Sequence, residues 1–269
     1  MTTGNPQEIE PVHLSLDSPF KFHCHKGLDC FTHCCAQTTI RLTPYDIVRL
    51  RRRLGVTSGE FLARYTRQDT HAKSGLPEIF LDMSQDPEGR CPFVGPEGCQ
   101  VYEDRPVTCR YYPLGQGSVL TQDGLQEFYV YIQEEHCQGF GEGTETTVAA
   151  WRHEQGADQY DDLNREWKIM MLMDYPEDRI VINDRVRRLF YMVAYDLDQF
   201  RQFVFETPFL SVFEISQVLQ NRIKTDDEEL LRFGYQYLKH ILLITPTLKM
   251  SDEARQAVNP AITRLDVQF

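Results

Sequence analysis

The chain has 269 residues, with 28 Lys and Arg against 40 Asp and Glu for a formal net charge of −12. That length holds one sizeable core or two modest ones, and 41% hydrophobic with 25% charged residues excludes long disorder and collagen-like repeats. No apolar run approaches the roughly 18 residues of a spanning helix, and the acidic balance argues against nucleic acid or an anionic membrane as partner, because phosphate rewards positive charge.

In chain order, the arm from Met1 to Phe20 is polar, carries Glu8, Glu10 and Asp17, and lacks the apolar stretch of a signal peptide. A cytoplasmic address is the expectation. Thr43, Pro44 and Asp46 read as the N-cap and first turn of a helix with Ile47, Leu50 and Leu54 on one face, ended by Gly55. Thr57 and Glu60 form a capping box before Phe61, Leu62 and Tyr65. Strands are expected at Ile79 to Met83, Ser118 to Gln122 and Gln126 to Gln133, the last two joined by the hairpin dipeptide Asp123-Gly124. A short helix is expected around Thr147 to His153.

From Asp158 onward cysteine is absent, glycine is sparse and the period becomes helical. Val186, Leu189, Phe190, Val193, Leu197, Phe200 and Val204 predict one long amphipathic helix. Thr225 and Glu228 read as a capping box opening another, which carries Leu230, Leu231, Phe233, Tyr237, Leu238, Ile241 and Leu242. About four helices are expected between Asp158 and Ala257, with Phe203, Phe205, Phe209 and Phe213 as packing residues. The fold class is α+β: a small cysteine-rich domain with short strands and helices, then an all-α domain. The expected division is 1–20 for the arm, 21–150 for the cysteine region and 151–269 for the helices.

All eight cysteines lie in the first 137 residues. Reduced, clustered cysteines in a cytosolic chain are metal ligands or redox groups before they are staples. Cys24, Cys30, Cys34 and Cys35 form one group; Cys91, Cys99 and Cys109 form a second, with Cys137 beyond. Glycines and prolines bend the chain at both groups, which lets sulfurs from separated stretches converge. Soft thiolates select zinc, copper(I) or iron–sulfur clusters over calcium and magnesium. Only Cys30-x3-Cys34 has a zinc-knuckle spacing, whereas wide spacings suit a four-iron, four-sulfur cluster reached from several loops. Zinc is the alternative. Neighbouring side chains diverge, so Cys34 and Cys35 are expected to serve different ends, and eight thiols allow one centre or two.

His23, His25, His33 and His136 lie near the cysteines; each is a candidate to replace a thiolate, as in a Rieske-like site, against the reading as a loop histidine. Arg105 and Arg110 flank Cys109; they are candidates to neutralise a thiolate centre, against a surface or carboxylate-paired role. Arg49, Arg51, Arg52 and Arg53 read as a solvated helix face or a surface for an acidic partner.

The run from Cys24 to Leu50, with Cys34-Cys35 and Leu42-Thr43-Pro44-Tyr45-Asp46-Ile47, resembles the YkgJ-type cysteine-cluster family, the CxxCxxCC zinc- or iron-chelating domain. Gly89-Arg90-Cys91-Pro92-Phe93, Gly98-Cys99-Gln100-Val101-Tyr102-Glu103-Asp104-Arg105-Pro106 and Thr108-Cys109-Arg110-Tyr111-Tyr112-Pro113 resemble its second signature. The resemblance spans residues 22 to 143. It departs from the family pattern in the first group, whose spacings are x5 and x3. One branch, the flagellin lysine N-methylases, implies a four-iron cluster and methyl transfer from S-adenosylmethionine to lysine.

For that reaction the local candidate is Gly139-x-Gly141-x-Gly143, a glycine-rich turn able to present N–H groups to an anionic or nucleoside ligand, against a plain flexible loop. Gly139, Gly141, Gly143 and Arg110 are the candidate cofactor-binding residues. Gln37 stands where the radical S-adenosylmethionine triplet needs cysteine, and no HExxH, GxSxG or P-loop lysine is present. The competing functions are a cluster-dependent lysine methyltransferase acting on a protein substrate, an electron-transfer or redox-sensing module with a redox partner, and a structural zinc-binding interaction protein.

Overall fold

Thr43 sets the first helix by offering its hydroxyl to the Asp46 N–H at 3.2 Å, while the Asp46 carboxylate accepts from the Thr43 N–H at 2.7 Å. This capping box and Pro44 open α1 (Pro44–Leu54), and Gly55 closes it at φ 66°. The structure, a computed structural model, describes residues 13–176, 180–242 and 244–257. A second capping box at Thr57 and Glu60 opens α2 (Ser58–Tyr65).

Short strands surround these helices. β1 (His13–Leu14) and β2 (Pro19–Phe22) precede β3 (Arg41–Leu42); β4 (Thr66–Thr70), β5 (Pro77–Leu81), β6 (Val94–Gly95) and β7 (Gly98–Cys99) follow α2. Next come α3 (Val107–Tyr111), β8 (Leu114–Thr121), β9 (Gly124–Tyr131) and β10 (Phe140–Thr147). The antiparallel β8–β9 pair turns through Gln122-Asp123, with Gly124 paired to Thr121, one residue before the predicted Asp123-Gly124, and β1 adds to β9. β5 is flanked by β3 and β4, β2 pairs with β10, and β6 with β7. The described part of the N-terminal arm thus enters two sheets.

The helical half comprises α4 (Val148–Glu154), α5 (Ala157–Leu172), α6 (Asp184–Ala194), α7 (Leu197–Glu206), α8 (Phe209–Val212), α9 (Gln217–Thr225), α10 (Asp227–Ile241) and α11 (Asp252–Ala257). The chain is α+β, with its strands in the first part and helices dominating the second. α4 falls where expected, but the count does not hold: seven helices, α5 to α11, occupy the span in which four were expected, among the described residues.

Two expectations fail for local reasons. The long helix over Val186 to Val204 is two, because Asp196 caps α7 by accepting from the Gln199 N–H. Tyr195 at the break is buried, accepting from Trp167 Nε1 and donating to the Pro77 carbonyl, both at 3.0 Å. Thr225 ends α9, and Asp226 caps α10 through the N–H groups of Glu228 and Glu229. A carboxylate one residue later outcompetes the hydroxyl, since an ionised acceptor bonds backbone N–H more strongly.

One apolar core runs through both halves, from Phe20, Leu42 and Phe61 to Trp167, Phe200 and Leu238. Phe209 and Phe213 are buried in it, as packing residues should be. α1 contacts α5 and α10, and α2 contacts α7. Three arginines of the run, Arg49, Arg51 and Arg52, are committed to ion pairs with other segments and so do not form the open face expected. Arg51 and Arg52 bond Asp227 together with Arg201 of α7, Arg51 also reaches Asp198, and Arg49 bonds Asp104 at 2.6 Å. Arg52 and Arg53 are exposed, whereas Arg49 and Arg51 are partly buried.

Candidate metal centre

The two cysteine signatures meet through backbone. Cys91 donates its N–H to the Cys35 carbonyl at 2.7 Å, and Gln37 donates to the Gly89 carbonyl at 2.9 Å, so Ala36 and Arg90 form an isolated antiparallel bridge. Cys34 and Cys35 sit in a tight 3-10 turn, His33–Cys35. Two non-glycine residues in the left-handed region flank it, Thr32 at φ 72° and Gln37 at φ 53°. A β-branched residue there is strained by about 1–3 kcal/mol, which surrounding structure must over-determine.

On one side of this turn lie Cys24, Cys30 and Cys137. The Gln138 N–H points at Cys30 Sγ at 3.2 Å, placing the segment after Cys137 against Cys30. The His33 and His136 rings pack 5.9 Å apart, and the His23 N–H donates to the Gly139 carbonyl. Although Cys24 is exposed as a residue, partial desolvation of its thiol, with the charges of Cys34, Cys30 and Cys137 beside it, pushes it up to about 11. Tyr112 donates to Glu134 at 2.7 Å, and the Glu134 carbonyl accepts from the Cys137 N–H.

On the other side lie Cys91, Cys99 and Cys109. The Phe93 N–H turns back to Cys91 Sγ at 3.5 Å. β6 and β7 then fold over so that Val94 pairs with Cys99. Burial pushes Cys91 up to about 11 against the Phe93 bond, with Cys99 and Cys34 adding to it. Cys109, on α3, is held far above the usual thiol range by burial and then by Cys91, Asp46, Cys99 and Cys34. Burial also raises Cys99, while the Arg105 guanidinium opposes it.

The Cys34 and Cys35 thiols bear on each other, holding Cys34 low and, with burial and the charges of Cys109 and Cys91, Cys35 high. Cys24 is exposed, Cys30 buried and the other six are partly buried, all as free thiols. Among the described residues no three His, Cys, Asp or Glu side chains are gathered tightly enough to clasp one ion as they stand. The donor set nonetheless fits a thiophilic metal: eight soft sulfurs in one region, with backbone N–H groups aimed at Cys30 and Cys91.

Asp46 positions this site in a way its place in a capping box does not announce. One carboxylate oxygen caps α1, and the other accepts from the Val107 N–H at 2.8 Å, fixing the start of the helix that carries Cys109. Trp151 donates its indole N–H to the Tyr111 carbonyl at 3.2 Å on the same helix. Beside the bridge is a groove of about 560 Å³ whose walls include Phe31, Thr32, His33, Gln37, Glu88 and Arg90. Neither the Val107 tether nor the groove has a sequence signal, since each joins segments far apart in the chain.

The residues expected to hold a second cofactor lie at β10 and on α3. Gly139 precedes β10, and Gly141 and Gly143 lie within it, where the register against β2 slips between Phe140 and Glu145. They form a bulged strand, with φ 80° at Gly141 and 78° at Gly143, and not a turn opening a helix. Arg110 is buried and spends its guanidinium on the carbonyls of Arg105, Gln155 and Glu103 and on the Tyr160 hydroxyl. Arg105 bonds the Tyr102 carbonyl and Gln155 while lying close enough to Cys99 and Cys109 to feel their charge. His25 accepts from the Gly27 N–H, as a loop histidine does.

A bent, cysteine-rich segment whose thiols crowd one region with backbone donors turned onto sulfur defines a thiolate metal-binding domain. Residues 23–138, a little under half of the chain, match the family described as "CxxCxxCC: Putative zinc- or iron-chelating domain". No curated protein and no solved structure matches the chain. Among the described residues no helix is long and apolar enough to cross a membrane.

Proposed function

We propose that the chain is an iron–sulfur protein whose cysteines hold the cluster and whose work is electron transfer or redox sensing with a protein partner. The observation that carries this is the all-thiol donor set, drawn from separated loops, with N–H groups of Gln138 and Phe93 on Cys30 and Cys91 sulfur. Such bonds stabilise cluster thiolates and raise the reduction potential. The partly exposed position of the thiols supports exchange with a docked partner.

Structural zinc is the second reading, favoured by the β6–β7 hairpin that brings Cys91 and Cys99 together without any long loop. Metal and acid-labile sulfide analysis of protein purified without oxygen separates the two. Iron and sulfide in equal amounts with a brown colour support the cluster, and zinc without sulfide supports the structural reading.

Methyl transfer to a protein lysine is what the family resemblance implies. The glycines in a bulged strand and the internally braced Arg110 give this reading less support than the thiols give the cluster. Equilibrium titration with S-adenosylmethionine decides it: saturable binding restores the transferase, and none leaves the redox module.

A further inference from the structure

We propose that the eight thiols form two four-thiolate metal centres, Cys24, Cys30, Cys34 and Cys137 in one and Cys35, Cys91, Cys99 and Cys109 in the other, joined through the Cys34–Cys35 peptide. The inference rests on the metal-binding reading above and assigns its ligands.

The backbone sorts the sulfurs. Gln138 bonds Cys30 Sγ, the His33 ring packs on His136, and the strand leading to Cys24 is tied at His23 to Gly139. These contacts close a ring through Cys24, Cys30, Cys34 and Cys137 without touching the second signature. Across the turn, the Cys35 carbonyl takes the Cys91 N–H, Cys91 reaches Cys99 through β6–β7, and Asp46 fixes the helix bearing Cys109.

Among thiols, Cys24 faces Cys30, Cys34 and Cys137, and Cys35 faces Cys109 and Cys91 besides its neighbour. Cys34 also lies within reach of Cys91, Cys99 and Cys109, so the backbone ties, and not the charges, place it with the first set. Each set has three members from its own side and one from the pair, which is the number a tetrahedral zinc site or a four-iron cluster takes. Because among the described residues no three donors clasp an ion as they stand, loading turns thiol rotamers inward on both sides. The 3-10 turn, strained at Thr32 and Gln37, is the shared hinge.

The test titrates the reduced, metal-free full chain with Co²⁺ alone, following the thiolate-to-metal absorption, and then alkylates the loaded protein with iodoacetamide. Saturation at two equivalents with all eight thiols protected is the expected result. Saturation at one equivalent with four thiols alkylated overturns the two-centre assignment and leaves metal binding intact. No binding at all overturns the metal-binding reading itself.

The allocation is read separately from Cys30→Ser and Cys99→Ser, each expected to keep about half the Co²⁺ of the parent and to expose to alkylation only the thiols of its own set. Exposure of thiols across both sets by either variant overturns the allocation. The parent titration requires no variant to fold.

Discussion

The Cys35 carbonyl and the Cys91 N–H, 56 positions apart in the chain, share a 2.7 Å hydrogen bond that joins the two cysteine signatures before any side chain is considered. Sulfur positions in both signatures therefore depend on the backbone around Ala36 and Arg90. Gly89 sits at one end of that bridge at φ 66°, and a Cβ there would meet Gln37 only at 3.6 Å. Gly89→Ala is expected to cost about 1 kcal/mol through its left-handed backbone alone, with no steric clash. Urea unfolding with and without metal checks this, and the metal-loaded form should show the larger loss.

Asp46 is wholly buried, and burial pushes its carboxyl up to about 6 in spite of the bonds from Thr43 and Val107. A carboxyl raised above its unfolded value contributes stability that is fully present below that unfolded value, near pH 4, and is lost as pH rises through about 6. Asp46→Asn mimics the protonated form. The stability of the parent relative to Asp46→Asn is expected to fall between pH 4 and 6 and level off above about 7, measured by urea midpoints across pH.

Asp227 has the opposite sign. Burial pushes its pKa up, but Arg201, Arg51 and Arg52 outweigh that and hold it below the usual carboxylate range. Its contribution is present above the unfolded value and lost as pH falls through the depressed folded one. Asp227→Ala leaves three guanidinium groups without their shared acceptor and is expected to cost about 3 kcal/mol, less than a fully buried network because Arg52 is 43% exposed. Thermal melts at pH 7 test the magnitude, and melts toward pH 3 should show the difference shrinking.

Arg110→Lys is expected to destabilise the fold by about 2 kcal/mol, because a single ammonium cannot span three carbonyls and a hydroxyl. Metal content per folded chain should be unchanged. A selective loss of metal in a folded variant would instead put Arg110 in the ligand environment.

Local chemistry made part of this fold readable. The capping boxes at Thr43 and Thr57 and the Gly55 stop each depend on residues a few positions apart and each holds, while the β8–β9 hairpin falls where expected but turns one residue early. Pairings across long separations carry no such signal. The run from Arg49 to Arg53 looks like a solvated face until α7 and α10 supply Asp198 and Asp227. The periodic stripe from Val186 to Val204 continues smoothly through Tyr195, so periodicity hides the break that Asp196 makes. The glycines from 139 to 143 match a ligand turn in spacing, but their pairing with β2 is set by a strand more than a hundred residues earlier. At the metal site the cysteines themselves are plain in the sequence, whereas the tether from Asp46 to Val107 is not.

The chain has two tryptophans, and the fold gives each a different post. Trp151 bonds the carbonyl of Tyr111, two residues past Cys109, while Trp167 lies buried beneath Tyr195 at the core of the helices. The protein therefore carries its own pair of optical reporters. Fluorescence from Trp151 registers events at the sulfurs, and that from Trp167 registers whether the helices feel them, so a Trp151→Phe and Trp167→Phe pair would resolve the two signals without any added label.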